Sequence, residues 1–320
     1  MKSSRNKTID ISIEQGKEYL LRCKCIHKPA PLEQIENSVL MGDAFEILPL
    51  LPEHFVDLMI VDPPYNLDKN FHGEVFHKRD SDAYRLYTVR WVEQLLPLLK
   101  PKASIYVCCD WRSSLIIGSV LEEYFTVQNR ITWQREKGRG AKKNWKNGME
   151  DIWFATVSSE YTFNLDAVKL RKKVLAPYRS QGQPKDWQET AAGKFRDTCP
   201  SNFWDDISVP YWSMPENTAH PTQKPEKLLA KLILASSNEG DMVFDPFLGS
   251  GTTAVAAKKL NRRFCGIEKN EQYCAWAQMR LDLAEKDSSI QGYTDSVFWE
   301  RNSLALQKQA KSKEIGRAHV

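Results

Sequence analysis

Apolar residues in this chain of 320 residues fall into short runs that alternate with stretches of helical period, and the alternation holds along nearly the whole length. Strand-like runs are predicted at 39–41, 56–61, 104–109, 128–133 and 151–157, and, after a long polar interval, at 242–245 and 263–267. Helical spacing is predicted over 44–51, 84–99, 113–123, 226–236, 252–260 and 270–286. Lys100-Pro101 should end one helix and Asn261 another. Such a βα repeat predicts an α/β fold, a doubly wound and mostly parallel sheet of seven strands.

The polar interval, 166–218, has little periodicity and is rich in Lys, Arg, Pro, Gln and Trp. A stretch of that length without regular structure is uncommon inside a compact domain unless it serves a function. Trp187, Trp204, Tyr211 and Trp212 are many aromatics for such a stretch, either a small core of their own or a contact surface. The segment 307–320 is polar and Lys-rich, a frayed tail.

Two of the strands run into tight turns, the place where an open α/β sheet carries its ligand. Leu58-Met59-Ile60-Val61 leads into Asp62-Pro63-Pro64-Tyr65, a carboxylate, two prolines and an aromatic face. Asp241-Met242-Val243 leads into Phe244-Asp245-Pro246-Phe247-Leu248-Gly249-Ser250-Gly251-Thr252-Thr253, which offers glycines, hydroxyls and a helix start. The glycines allow positive φ and a close backbone approach, and the helix beginning near Thr252 presents N–H groups. An acidic residue, Glu268, closes the next strand in Gly266-Ile267-Glu268, where a carboxylate can accept ribose hydroxyls. A flat heteroaromatic amine and a charged cofactor suit the pair of turns.

Hydrophobic content of 42% and charged content of 27% are ordinary. Net charge is only +4 and requires no nucleic-acid partner, but its distribution is uneven. From Arg130 to Lys146 there are seven basic residues against one acid, and from Lys169 to Arg196 eight against two. No apolar run approaches the ~18 residues of a membrane span, and the basic N-terminus leads into no apolar signal core. The expectation is a cytoplasmic protein whose seven cysteines are reduced thiols. Cys23, Cys25 and His27 are too few for zinc, which wants four ligands, so no metal is expected.

Together with His220-Pro221-Thr222-Gln223-Lys224-Pro225, these motifs resemble those of amino-group DNA methyltransferases dependent on S-adenosyl-L-methionine. The catalytic motif precedes the cofactor motif, which resembles the permuted beta class of that family, and the likeness runs from about Val39 to Leu283. The resemblance implies a circularly permuted, Rossmann-like methyltransferase sheet with a small target-recognition insert. The divisions are then an N-terminal extension, 1–38; a catalytic half, 39–165; the target-recognition region, 166–218; a cofactor half, 219–286; and a C-terminal extension, 287–320. Asp62, Pro63, Pro64 and Tyr65 are the catalytic candidates. Cofactor candidates are Asp43, Thr222, Lys224, Asp245, Phe247, Gly249, Ser250, Gly251, Thr252 and Glu268. Lys224 or Thr222 would meet the cofactor carboxylate, and Asp43 the adenine end, while also able to cap the helix after it.

An exocyclic amine is a poor nucleophile because its lone pair is delocalised into the ring. Asp62 and the Pro63 carbonyl can accept its N–H bonds and draw the nitrogen toward sp3 geometry, while the prolines stiffen the turn. Positioning then carries most of the rate gain. The base must leave the duplex, with Tyr65 stacking on it. Expected DNA contacts are Lys69, in a polar loop over the site, Trp133, as a pocket wall or a plain core residue, and Arg139, Lys142 and Lys143 as phosphate contacts. Asp at the head of the catalytic motif is the commoner form for adenine-N6, with cytosine-N4 the alternative; a silent DNA-binding protein of the same fold is the reading from another class. Implied partners are double-stranded DNA and a restriction endonuclease acting on the same site. Relatives of the class are often dimers, leaving a homodimer open.

Overall fold

The computed structural model describes residues 3–71, 74–135, 142–175, 177–190 and 193–307, with backbone only at 69–71, 74–76 and 190. Eight strands form the main sheet: β1 Ser38–Met41, β2 Val56–Val61, β3 Leu99–Cys109, β4 Thr126–Gln134, β5 Met149–Thr156, β6 Phe203–Trp204, β7 Met242–Asp245 and β8 Arg263–Glu268. Their spatial order is β1-β8-β7-β2-β3-β5-β4-β6. All neighbours are parallel except β5, which runs antiparallel to β3 and β4. The chain enters the sheet at its β1 edge, and the last two of these strands along the chain, β7 and β8, fill the places between β1 and β2.

Alternate residues of the central strands face two separate cores, as both-sided burial requires. Met59 and Val61 of β2, Ile105 and Val107 of β3, and Phe244 of β7 share one core with Trp91, Leu95, Ile117 and Leu121. Leu58, Ile60, Tyr106 and Val243 share the other with Leu228, Leu232, Val255 and Leu281. Helices α1 (Ser81–Leu95) and α2 (Ser113–Tyr124) therefore cover one face, and α3 (Glu226–Ser236), α4 (Thr252–Lys259) and α5 (Glu271–Lys286) the other. The α1 N-terminus is capped by Asp80, which accepts from Ala83 N at 2.8 Å.

All seven expected strands form, within a few residues of their expected ends. One boundary differs: Lys100-Pro101 does not end a helix but lies inside β3. The helix passes through a 3-10 turn at Leu96–Leu98, and the β2–β3 register shifts between Val56 and Leu58. That bulge suits Pro101, which has no N–H for the ladder. Asn261 does follow α4, in the left-handed region at φ 60°.

The polar interval is not structureless. Leu170–Lys173, Gln188–Thr190 and Gly193–Thr198 join Tyr293–Thr294 and Val297–Trp299 in a second, five-stranded sheet. The strand Val297–Trp299 runs parallel to Leu170–Lys173, so part of the expected C-terminal extension belongs with this region. Asp206 ties it to the main domain, with its carboxylate 2.8 Å from Lys227 Nζ and 2.9 Å from Lys231 Nζ on α3. The N-terminal extension packs on α5, where Trp276 Nε1 and Gln272 Nε2 donate to Ile11 O. No helix among the described residues is long and apolar enough to cross a membrane. All seven cysteines are free thiols. Among the described residues no group of three or more His, Cys, Asp and Glu could hold a metal ion.

Candidate active site

β2 and β7 are parallel neighbours, so the two turns that follow them lie side by side at the carboxyl edge of the sheet. Between them is a cavity of about 360 Å³. Asp43, Asp62, Pro63, Pro64, Tyr65, Thr222, Lys224, Asp245, Phe247, Gly249, Ser250, Thr252 and Glu268 all line it. Residues as far apart in the chain as Asp43 and Glu268 thus meet in one place.

The turn after β2 is held from several sides. Tyr84 OH on α1 donates to Pro64 O at 3.3 Å, and Asn66 N donates to Ser113 Oγ at 3.2 Å. Tyr65 OH donates to Asp62 Oδ1 at 2.9 Å, and Lys224 Nζ donates to Asp62 Oδ2 at 2.6 Å. Lys224 Nζ also reaches Tyr65 OH at 3.0 Å and Glu150 Oε2 at 3.4 Å. Glu150, on β5, is paired in turn with Arg135 at the end of β4. Lys224 and Glu150 have only 8% and 5% of their side chains exposed, so this is a buried ionic cluster rather than a surface pair. Burial works to discharge Lys224, but Asp62 and Glu150 outweigh it and hold the ammonium above the ordinary lysine range. Burial, with the same two carboxylates, pushes the Tyr65 hydroxyl well up, so it stays a neutral donor.

The turn after β7 is built from backbone. Gly249 and Gly251 have φ of +56° and +83°, a region costly for a residue with a Cβ. A Cβ on Gly251 would stand 2.6 Å from the Ala277 Cβ, so that glycine sets how closely the turn meets α5 rather than lining the cavity. Glu268 accepts from Gly249 N and Asn270 N, both at 2.7 Å. Asp245 accepts from Phe247 N at 2.9 Å and Thr253 Oγ1 at 2.5 Å. Burial raises the Asp245 carboxyl to about 7 against those hydrogen bonds, with Asp62 and Glu268 adding to the rise. Arg280 on α5 donates to Ser250 O at 2.8 Å and Thr252 Oγ1 at 2.9 Å, and pairs with Glu226 at 3.0 Å. Asp43 caps the short helix Ala44–Ile47 by accepting from Phe45 N at 2.9 Å, and still faces the cavity.

Lys224 and Trp133 have surroundings that their sequence positions do not specify. Lys224 lines the cavity, but its Nζ contacts are with Asp62, Tyr65 and Glu150 on the side of the Asp62 turn. Trp133 is a core residue: it is 1% exposed, its indole donates to Ile207 O at 2.9 Å, and it does not line the cavity. The alternation along β4 points it inward, which is the plainer of the two readings. Lys142 and Lys143 are exposed on the β4–β5 loop, beside a Trp145 that is 96% exposed. Arg139 and the Lys69 side chain lie outside the described residues.

The cavity also has walls beyond the candidate residues. Phe45 and Tyr87 pack with ring centroids 5.8 Å apart, and Arg79 lies 4.7 Å over the Tyr87 ring. His220 meets Tyr273 edge-on at 4.4 Å, and all five residues line the cavity. His220 opens the His-Pro-Thr-Gln-Lys-Pro motif, and its ring covers Gly249, where a Cβ would approach Nε2 to 3.3 Å. Arg79 and Tyr87 arrive by tertiary folding: Asn66 and Arg79 exchange hydrogen bonds of 2.9 and 2.7 Å that close the excursion after the catalytic turn.

Residues 56–279 match the family described as DNA methylase, of the N6/N4 type. The chain is 35% identical over 253 residues to the type II methyltransferase M.HpaI of Haemophilus parainfluenzae, covering 78% of this chain and 75% of that one. It is 36% identical over 261 residues to the DNA adenine methyltransferase YhdJ of Escherichia coli K12, covering 79% and 85%. Among solved structures, the M1.HpyAVI–SAM complex aligns with a TM-score of 0.50 and 28% identity, over 76% of this chain and 98% of that one. With two motif-bearing turns meeting in one cavity and similarity across the domain that contains them, the chain belongs to the N6/N4 DNA methylase family.

Proposed function

We propose that this member of the family is a site-specific enzyme that methylates the exocyclic N6 of an adenine flipped out of duplex DNA, with S-adenosyl-L-methionine as the methyl donor, and that it is of the permuted beta class. The observation that carries the reading is the shared cavity: the Asp62 turn and the Gly249–Gly251 turn open onto one space from adjacent parallel strands. Its volume is within the range of small-molecule sites. The residues fit the donor: a side chain at Gly249 would crowd His220, Glu268 and Asp43 line the cavity as acceptors for hydroxyl and amine groups, and Phe247, Phe45 and Tyr273 supply apolar cover.

The donor supplies an electrophilic methyl group on a sulfonium. What the protein adds is position. Asp62 and the Pro63 carbonyl accept the two N–H bonds of the target amine, so the nitrogen lone pair is freed from the ring and aimed into the cavity. The stiff proline turn, pinned by Tyr84, fixes where those acceptors stand. Tyr65 both donates to Asp62 and offers its ring to the base. The proton of the methylated amine is acidic and is lost readily, so no Ser-His or Cys-His relay is needed.

An Asp at the head of the catalytic motif and the adenine-specific name of YhdJ support adenine over cytosine. Exposed Lys142, Lys143 and Lys146, with Trp145 between them, support a DNA contact on the β4–β5 loop, whose stems Arg135 and Glu150 reach the catalytic cluster. A restriction endonuclease acting on the same site is the companion this reading implies, supported by the type II designation of M.HpaI. The test is label transfer from S-adenosyl-L-methionine to unmethylated duplex DNA by the native protein and by Asp62→Ala. Label should enter DNA with the native protein alone; equal labelling by both would remove Asp62 from the chemistry.

A further inference from the structure

We propose that Lys224 and Glu150 are positioning residues for methyl transfer: the Thr-Gln-Lys-Pro segment and the antiparallel strand β5 together hold the Asp62 carboxylate in its working orientation. The inference rests on the reading of Asp62 as the amine acceptor and deepens it. A lysine ammonium has three donors and no acceptor. The three acceptors around Lys224 Nζ are Asp62 Oδ2 at 2.6 Å, Tyr65 OH at 3.0 Å and Glu150 Oε2 at 3.4 Å. One cation thus touches both polar side chains of the catalytic turn and ties them to β5.

The charges balance. Asp62 and Glu150 are two carboxylates, and Lys224 and Arg135 are two cations, with Arg135 on the far oxygen of Glu150. Removing one member of a buried set leaves an uncompensated charge. Without Lys224, Asp62 and Glu150 would repel across the Tyr65 hydroxyl, and Asp62 would be free to rotate away from the amine. Without Glu150, Lys224 would keep only Asp62 and Tyr65 as partners, and the tie that fixes the pair to β5 would be lost. A carboxylate that must accept a hydrogen bond from a weak nucleophile, without removing its proton, is well served by a fixed cation on its other oxygen. Lys224 is therefore no ligand of the methyl donor in this arrangement, although it lines the same cavity.

Placement of this kind has a measurable signature, because a displacement of about 1 Å at the reacting atoms costs on the order of 100-fold in rate. The experiment is single-turnover methyl transfer to duplex DNA, with separate dissociation constants for S-adenosyl-L-methionine and DNA, in the native protein, Lys224→Met, Lys224→Arg and Glu150→Gln. The expected result is a loss on the order of 100-fold for Lys224→Met, a smaller loss for Glu150→Gln, and partial recovery in Lys224→Arg, with both dissociation constants little changed. Weakened donor binding with an unaltered rate in the saturated complex would overturn the proposal and assign Lys224 to the donor. A native rate in Glu150→Gln, which keeps shape and loses charge, would overturn it even where Lys224→Met does not fold. Failure of the native protein to label DNA is a different outcome, since it would remove the reading on which the proposal stands.

Discussion

The two turns that form the site are alike in position and opposite in construction. The Asp62–Tyr65 turn is held by groups far away in the chain, with Lys224 162 residues from Asp62 and Glu150 85 residues from Tyr65. The Asp245–Gly251 turn is held by groups nearer in the chain, with Thr253 8 residues from Asp245, Glu268 19 residues from Gly249 and Arg280 30 residues from Ser250. The first relies on a buried ionic cluster made by its own acidic side chain, the second on left-handed glycines and backbone N–H groups that end on carboxylates, with the Arg280–Glu226 pair bracing it from α3 and α5. With the roles proposed for them, the difference implies a division of labour: the chemistry would depend on how distant elements are assembled, and donor binding more on local backbone shape.

Lesions in the two turns should therefore separate rate from binding. Asp62→Ala should lower methyl transfer on the order of 1,000-fold while leaving the dissociation constant for S-adenosyl-L-methionine unchanged by calorimetry; weaker donor binding would erase the distinction. Glu268→Ala should do the reverse. Removing a charged acceptor forfeits about 1.5–3 kcal/mol of hydrogen bonding, so donor affinity should fall on the order of 10- to 100-fold. An unchanged constant would place the ribose contact elsewhere. Gly251→Ala should destabilise the fold by roughly 1–3 kcal/mol in denaturant, from positive φ and overlap with Ala277.

A pH series sharpens the picture of the donor turn. Burial raises the Asp245 carboxyl to about 7, and burial next to Glu226 raises Glu216 to about 7 as well. A carboxyl raised in the folded state adds stability that is fully present below its ordinary value and is lost as pH rises through about 7. Stability should thus fall as pH rises from about 4 to about 7, and Asp245→Asn should flatten part of that slope in chemical denaturation. The smallest effect belongs to the surface. Replacing Lys142 and Lys143 by Ala should make the dependence of DNA affinity on salt shallower, by about 0.9 in logarithmic slope for each phosphate no longer neutralised. An unaltered slope would mean the pair faces only solvent.

The same contrast explains what can be read in the chain. Seven of the eight main-sheet strands lie where the sequence places them, most of them marked by apolar runs, and the Gly249–Gly251 turn is marked by glycines, a following helix and the acid at the end of β8. These are local signals. β6, only two residues long at Phe203–Trp204, has no pattern to announce it. The five-stranded sheet brings Tyr293–Thr294 and Val297–Trp299 from far along the chain to Leu170–Lys173, and its strands are too short, or in Leu170–Lys173 and Gly193–Thr198 too charged, for a period to mark them. Glu150 and Arg135 are silent in the sequence for the same reason: an acid inside a strand is unremarkable until its partner is placed across from it. Lys224 stands out in its motif, but which carboxylate it meets is decided by the fold. Trp133 shows the converse, since an aromatic at a strand end near a basic loop is as easily core as contact.

The most direct test of the central claim is nucleoside analysis of duplex DNA after incubation with the native protein and labelled S-adenosyl-L-methionine. The label should be recovered as N6-methyldeoxyadenosine. Label in N4-methyldeoxycytidine would contradict the assignment of the base while keeping the two-turn site, and no label in DNA, with the donor bound, would contradict the function itself.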